Sequence, residues 1–192
     1  MSYHFFAYLS RMNCIDRWGL MRNTRVENIQ EHSHMVAVLA HALAVIGKEK
    51  FGATVDPNEA AVAGLYHDAP EILTGDLPTP VKYDNPAIKE AYKAVETVAA
   101  DKLLSMLPAE LIPAFEPYVR EELEPELLAV VKAADKLAAH IKCLEELKAG
   151  NQEFRQAAHQ TRTALTRMNL PAVDYFMDEF LPGFQMTLDE LG

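Results

Sequence analysis

The sequence predicts an all-α fold, on three observations. Apolar residues recur at three- and four-residue spacing nearly throughout. No run alternates apolar and polar residues as a half-buried strand requires. Periodic segments open on capping residues, several with proline at the first helical position. The chain has 192 residues, 49% of them hydrophobic and 24% charged, with no internal repeat, low-complexity tract or Gly/Ser linker. We therefore expect one domain spanning residues 1–192. A chain of this length buries roughly 70% of its unfolded surface, so neither a disulfide nor a structural metal is needed to hold it together.

The elements follow in order. Residues 4–14 predict a first helix with Phe5, Leu9 and Met12 on one side, ending before Arg17, Trp18 and Gly19. Asn28 followed by Glu31 has the form of a capping box, and Ile29, Met35, Val36, Leu39, Leu43 and Ile46 then mark a helix that stops at Gly47 or Gly52. Asp56 and Pro57 open a third helix running to His67 and Asp68. Pro70 has no amide donor and disfavours helical angles at Ala69, so the chain should break just after that pair. A short segment, Glu71 to Thr74, leads into GDLPTP, which reads as an ordered non-helical loop. A long helix then begins near Asn85 and Pro86, with Ile88, Tyr92, Val95, Ala99 and Leu103 as its buried stripe. Residues 108–117 read as irregular. Further helices are expected over about 125–148, 152–167 and 171–180.

Composition excludes several classes of function. A formal charge of -10 argues against a binder of nucleic-acid polymers, which present phosphate to basic surfaces. The longest strongly apolar stretch, 35–46, is interrupted by His41 and falls short of the ~20 residues that span a bilayer. The start, MSYHFFAYLSRMNC, has no basic leader followed by an apolar run and cleavage site. Cys14 and Cys143 lie far apart in helical segments and read as reduced packing residues. The expected address is the cytoplasm. One segment departs from the acidic background: RMNCIDRWGLMRNTR carries Arg11, Arg17, Arg22 and Arg25 against Asp16 alone. It reads either as a solvated helix end and loop or as positive potential gathered for a small anion.

Four positions put polar groups where periodicity expects core. His32 shares the stripe of Val36, Leu39 and Leu43; Asp135 falls on the line of Leu128, Val131 and Ala138; His67 and Asp68 stand together at a helix end. An unpaired carboxylate among apolar side chains is costly, so Asp135 needs a cation, strong hydrogen bonds or a metal. Taken singly, a histidine on an apolar face reads as a packed core residue. Jointly, these four offer two imidazoles and two carboxylates from three helices to one divalent ion. The mixed nitrogen and oxygen set suits Mn, Fe, Co or Zn better than Ca. His34, His41, His140 and His159 lack such acidic partners and read as structural or surface residues.

The order His, then His-Asp, then a distant Asp resembles the HD-domain metal-dependent phosphohydrolases. The segments RWGLMRNTRVENIQEHS, YHDAPEILTGDLPTPVKY and KAADKLAAHIKCLEELKAGN narrow the resemblance to the bacterial 5′-deoxynucleotidases of that superfamily, over almost the whole chain. That resemblance implies a single-domain HD helical bundle that releases phosphate from deoxyribonucleoside 5′-monophosphates, and a homodimer. It implies one divalent transition-metal ion on His32, His67, Asp68 and Asp135, and Glu71, Asp76 and Arg17 as catalytic groups. Arg17 would orient the phosphate and Trp18 would crowd the sugar 2′ position; His32, Asp68, Asp76, Leu77, Pro78 and Thr79 would complete the substrate contacts. Without the resemblance, Glu71 reads as a first-turn residue, Asp76 as a turn former and Trp18 as a core anchor. Two other functions stay open: an HD phosphohydrolase acting on nucleoside triphosphates or an alarmone, and a non-catalytic nucleotide sensor.

Overall fold

The computed structural model describes residues 2–82 and 85–192, with only the backbone of Thr79. Among the described residues no strand forms beyond an isolated antiparallel bridge between Asp16 and Asn28. Helix α1, Phe5–Leu9, continues as a 3₁₀ turn, Ser10–Cys14, and buries Phe5 and Met12. Helix α2, Ile29–Phe51, is capped by the Asn28 side chain, which accepts from the amides of Gln30 and Glu31. Only this half of the expected capping box is recorded: the Glu31 carboxylate pairs with Arg25 at 3.3 Å. Gly52 ends the helix at φ 71°, in the left-handed region that favours glycine.

Helix α3, Pro57–Tyr66, starts on the Asp56 cap, and the turn expected at Pro70 separates it from α4, Glu71–Thr74. Two elements depart from expectation. Thr79–Lys82 forms a helical turn, α5, because Pro80 sits in its first turn, where the missing amide costs nothing. Ile112–Val119 forms α7 in the stretch read as irregular. Pro113 stands in its first turn, and the interior Pro117 leaves its own carbonyl to accept from Glu122 at 2.9 Å. Between them α6, Pro86–Leu104, begins on the Asn85 cap as expected. Its stripe is rotated: Ala99 and Leu103 are buried, but Val95 is 51% exposed. Near its N-terminal half α6 meets the short α4 and α5, through Tyr92 at Thr74 and Glu96 at Lys82.

The centre of the molecule is α8, Pro125–Lys148, which packs against α2, α3 and α9. Small residues such as Ala133, Ala134, Ala138 and Ala139 let neighbours approach it from several sides, and all four are buried. A 3₁₀ turn, Gln152–Phe154, leads into α9, Arg155–Met168; α10, Pro171–Glu179, follows. The main core joins α2, α3, α8 and α10 through Leu39, Leu43, Ala60, Ala63, Val131, Leu137 and Phe176. A second cluster seats α1 on α6 and α7 through Phe5, Leu103 and Val119. Cys143 is fully buried, but Cys14 is exposed, because the 3₁₀ turn directs it outward; the expectation that it packs is corrected.

Candidate metal and phosphate site

The site lies where α2, the end of α3 and α8 meet. His32 sits one turn into α2, fully buried, with Nε2 3.0 Å from Asp135 Oδ1 and 3.7 Å from Asp68 Oδ2. Asp135 projects from the middle of α8 and keeps 27% of its side chain open to solvent. His67 and Asp68 occupy the turn that Pro70 enforces after α3, and His67 Nε2 lies 3.0 Å from Asp68 Oδ2. Single ligand atoms of His32, His67 and Asp135 all fall within 4.8 Å of one another. Among the described residues no other group of three His, Cys, Asp or Glu side chains is so arranged.

The hydrogen bonding of this group is incomplete in a specific way. His67 Nδ1 lies 2.8 Å from the Gly64 carbonyl, which can only accept, so Nδ1 carries the proton. In the neutral ring Nε2 is then a bare lone pair, and it is buried with no hydrogen-bond partner. His32 Nδ1 is likewise buried and unpartnered. A positive charge at the focus of these atoms satisfies His67 Nε2 and both carboxylates together, and backbone-fixed imidazole tautomers are the usual support of such sites. The donor set fits a divalent first-row ion.

The charges follow. For Asp68, burial works against ionisation, but His67, His32 and Arg17 outweigh it and hold the carboxyl well below the usual range. Asp135 is held low too, against burial, by His32 and His67. Burial and the Arg17 cation push His32 down, whereas Asp68 overcomes burial to push His67 up.

Arg17 enters from the loop between α1 and α2, 12% exposed, with Nη1 3.2 Å from Asp68 Oδ2. Of the four arginines in its segment it is the one tied to the cluster; the Arg22 and Arg25 side chains are 92% and 74% exposed. Glu71, first residue of α4, is buried, and its Oε2 has no partner. Burial, then the neighbouring Asp68 and Asp76, push its carboxyl up to about 9. Asp76 follows Gly75, whose φ of 75° turns the chain after α4. Burial raises Asp76, with Arg17 and the Trp18 backbone amide acting in the opposite sense. Leu77 and Pro78 continue this half-buried loop, and the Thr79 side chain lies outside the described residues.

Trp18 has φ 60°, uncommon for a bulky residue, and its ring packs on Phe154 at 5.3 Å. Its indole donates to Glu27 Oε2 at 2.9 Å, and the same oxygen lies 3.4 Å from Arg17 Nε. Glu27 was not legible as a site residue, since nothing in its sequence neighbourhood distinguishes it from a solvated acid. Helical spacing predicts Tyr92 only as a core residue; its hydroxyl donates to the Gly75 carbonyl at 3.1 Å and holds the turn before Asp76. A surface groove of about 550 Å³ between α2 and α8 holds none of the cluster: its walls include His34, Glu31 and Glu145.

Comparison with known proteins places this geometry. The model of the family described as 5′-deoxynucleotidase YfbR-like matches residues 4–184. The 5′-deoxynucleotidase yfbR of Photorhabdus temperata is 50% identical over 189 residues, 98% of this chain and 96% of that protein. Among solved structures, an HD-domain phosphohydrolase from Listeria innocua superposes with a TM-score of 0.80 at 23% identity, covering 94% of this chain and 88% of that one. A cyanophage S-2L HD phosphohydrolase, DatZ, bound to dA and one catalytic Zn²⁺ ion, gives 0.66 at 23% identity, covering 94% and 96%. Half of all positions are shared with a 5′-deoxynucleotidase over nearly the full length of both chains, and the helices adopt the HD arrangement; the chain belongs to the YfbR-like 5′-deoxynucleotidase family.

Proposed function

We infer that the protein is a metal-dependent 5′-deoxynucleotidase, a phosphomonoesterase that converts deoxyribonucleoside 5′-monophosphates to deoxynucleosides and phosphate. The single observation that carries this reading is the buried, unpartnered Nε2 of His67 facing His32, Asp68 and Asp135 beside Arg17, in a chain of this family. His32, His67, Asp68 and Asp135 would hold one divalent ion, with Co, Mn, Zn and Fe as the candidates. When bound, such an ion supplies Lewis acidity towards phosphoryl oxygen and eases deprotonation of water near neutral pH.

The chain's own residues supply the rest. Arg17 presents a planar guanidinium to phosphate oxygens, a fork that lysine cannot reproduce. Glu71 is a proton-handling group beside the reacting phosphorus, poised by its poorly solvated setting. Asp76, next to Arg17 and Trp18, either protonates the leaving 5′ oxygen or holds the sugar hydroxyl. Trp18 presses on the sugar where a 2′-hydroxyl would stand, and His32, Asp68, Leu77, Pro78 and Thr79 line the same pocket. The whole chain, 1–192, acts as one HD domain, in the cytoplasm and as a homodimer; sedimentation reads the last point. No helix among the described residues is long and apolar enough to cross a membrane.

The test is phosphate release by metal-loaded protein from dAMP, dTMP and AMP. The expected result is turnover of both deoxynucleotides and much slower release from AMP. Equal rates on AMP and dAMP contradict the sugar assignment. Pyrophosphate or triphosphate as product from longer nucleotides, with no monophosphate activity, contradicts the substrate class.

A further inference from the structure

We propose that Glu146, with Lys142, is a positioning residue for the site: it grips the loop 17–27 from behind and thereby sets Trp18 and Arg17. The proposal rests on the reading that Arg17 takes the phosphate and Trp18 faces the sugar. Glu146 lies near the C-terminal end of α8, about three turns beyond Asp135 and outside the cluster it serves.

The loop lacks regular structure and is closed at its base, where the Arg17 amide donates to the Glu27 carbonyl at 2.8 Å and Ile29 donates to Ile15. Between these points it needs an external anchor. Glu146 supplies one while only 1% exposed. Its Oε2 accepts from the Thr24 amide at 2.9 Å, the Thr24 hydroxyl at 2.7 Å and Asn151 Nδ2 at 2.8 Å. Its Oε1 accepts from the Arg25 amide at 3.2 Å and from Lys142. The Lys142 ammonium, also buried, donates in turn to the Arg25 carbonyl. Asn151 donates a further bond to the Arg22 carbonyl, and the Arg22 amide donates to Glu153.

A buried ion pair is a poor way to gain stability, because desolvation offsets the attraction and apolar replacements serve as well. What it provides here is direction: one carboxylate fixes two consecutive loop amides. The fixed half of the loop is joined to the working half by short links. Asn23 donates to the Trp18 and Met21 carbonyls, and the Met21 amide donates to the Trp18 carbonyl. The Trp18 ring is clamped between Glu27 and Phe154, the latter packed on Cys143 of α8. A bulky residue at φ 60° persists only where its surroundings over-determine it. The Glu146 grip, with the Phe154 ring, is a part of those surroundings that lies outside the loop's own base.

Trp18 is the chain's single tryptophan, so its emission reports the clamp without reference to activity. In the metal-loaded protein, Glu146→Gln should red-shift that emission and increase acrylamide quenching. It should raise KM for dAMP about tenfold with kcat changed less than about threefold, and lower the dAMP-to-AMP preference. Metal content should stay at the wild-type level. Thr24→Val removes one hydroxyl from an exposed residue and should move the same readouts less far, whereas Thr24→Ser should leave them as in the wild type. Unchanged emission, KM and sugar preference in both Glu146→Gln and Thr24→Val, with only a lower Tm, overturns the proposal. Trp18→Phe separates the two levels: if it leaves the sugar preference intact, the assigned role of Trp18 fails, and the emission of the Glu146 variant alone then decides whether the clamp stands.

Discussion

His67 shows how one side chain is made ready for a cation. Its Nδ1 proton is fixed on the Gly64 carbonyl, leaving Nε2 without a hydrogen-bond partner among acids. Loss of Asp135 opposite removes a charge from the same focus, so Asp135→Ala should reduce bound metal and dNMP turnover together, read by elemental analysis and phosphate release. Glu71→Gln makes a different prediction. The amide keeps the shape of the carboxyl, which burial and the neighbouring Asp68 and Asp76 push towards its neutral form, so folding and metal content should hold while kcat falls by about 10²- to 10⁴-fold. His32 and Asp135 were legible because α-helical periodicity demanded apolar residues there. Arg17 was not separable from Arg22 and Arg25 by composition, since what distinguishes it is the closing of a loop that no periodicity encodes. Glu146 was hidden for the converse reason: with Lys142 it has the i,i+4 form of an ordinary surface pair, and its burial follows from a loop crossing over α8.

Between elements, the site's precision depends on the crossing of α2 and α3. A Cβ added at Gly64 would stand 2.7 Å from Ala37 Cα and 2.8 Å from its nitrogen, so the two helices touch backbone to backbone just where His67 is oriented. Gly64→Ala should therefore cost about 1–3 kcal/mol, as overpacking does, and weaken metal binding as well; chemical denaturation and metal titration check the two effects. The α8 grip on the 17–27 loop carries a pH signature. Its hydrogen bonds, against burial, hold the Glu146 carboxyl well below the glutamate value of 4.5. A folded pKa below the unfolded one contributes stability that is complete above about pH 4.5 and is lost as pH falls towards the folded value. The Tm difference between wild type and Glu146→Gln, measured without metal, should accordingly shrink below pH 4.5. Most helices were legible from caps and stripes: α2, α3, α6 and α8 begin where Asn28, Asp56, Asn85 and Pro125 place them. The misses, α5 and α7, both contain prolines that read as breakers but sit mostly in first turns, and the stripe of α6 was misjudged at Val95 because packing partners, not periodicity, decide which flank is covered.

For the molecule as a whole, the arrangement joins three helices at one charged focus. The main core is continuous from α2 through α8 to α10 without the site residues. The four ligands, however, bring two carboxylates and the bare Nε2 of His67 together, and a bound ion satisfies all three only in the folded state. Ligand binding to the native form alone stabilises by RT ln(1 + [L]/Kd), about 2.7 kcal/mol at a hundredfold excess over Kd. Chelation should thus lower Tm, and restoring the metal should recover it. The fold class was open to reading because nearly every segment is periodic; the family followed from the order of His32, His67, Asp68 and Asp135 and the segments around them, while the native ion depends on availability that no residue spells out. The most direct measurement is anomalous diffraction from crystals grown with Co²⁺. One strong peak is expected about 2.0–2.3 Å from His32 Nε2, His67 Nε2 and a carboxylate oxygen of Asp68 and of Asp135, the range of borderline-ion bond lengths. A peak elsewhere, or none among these four side chains at full cobalt loading, would contradict it.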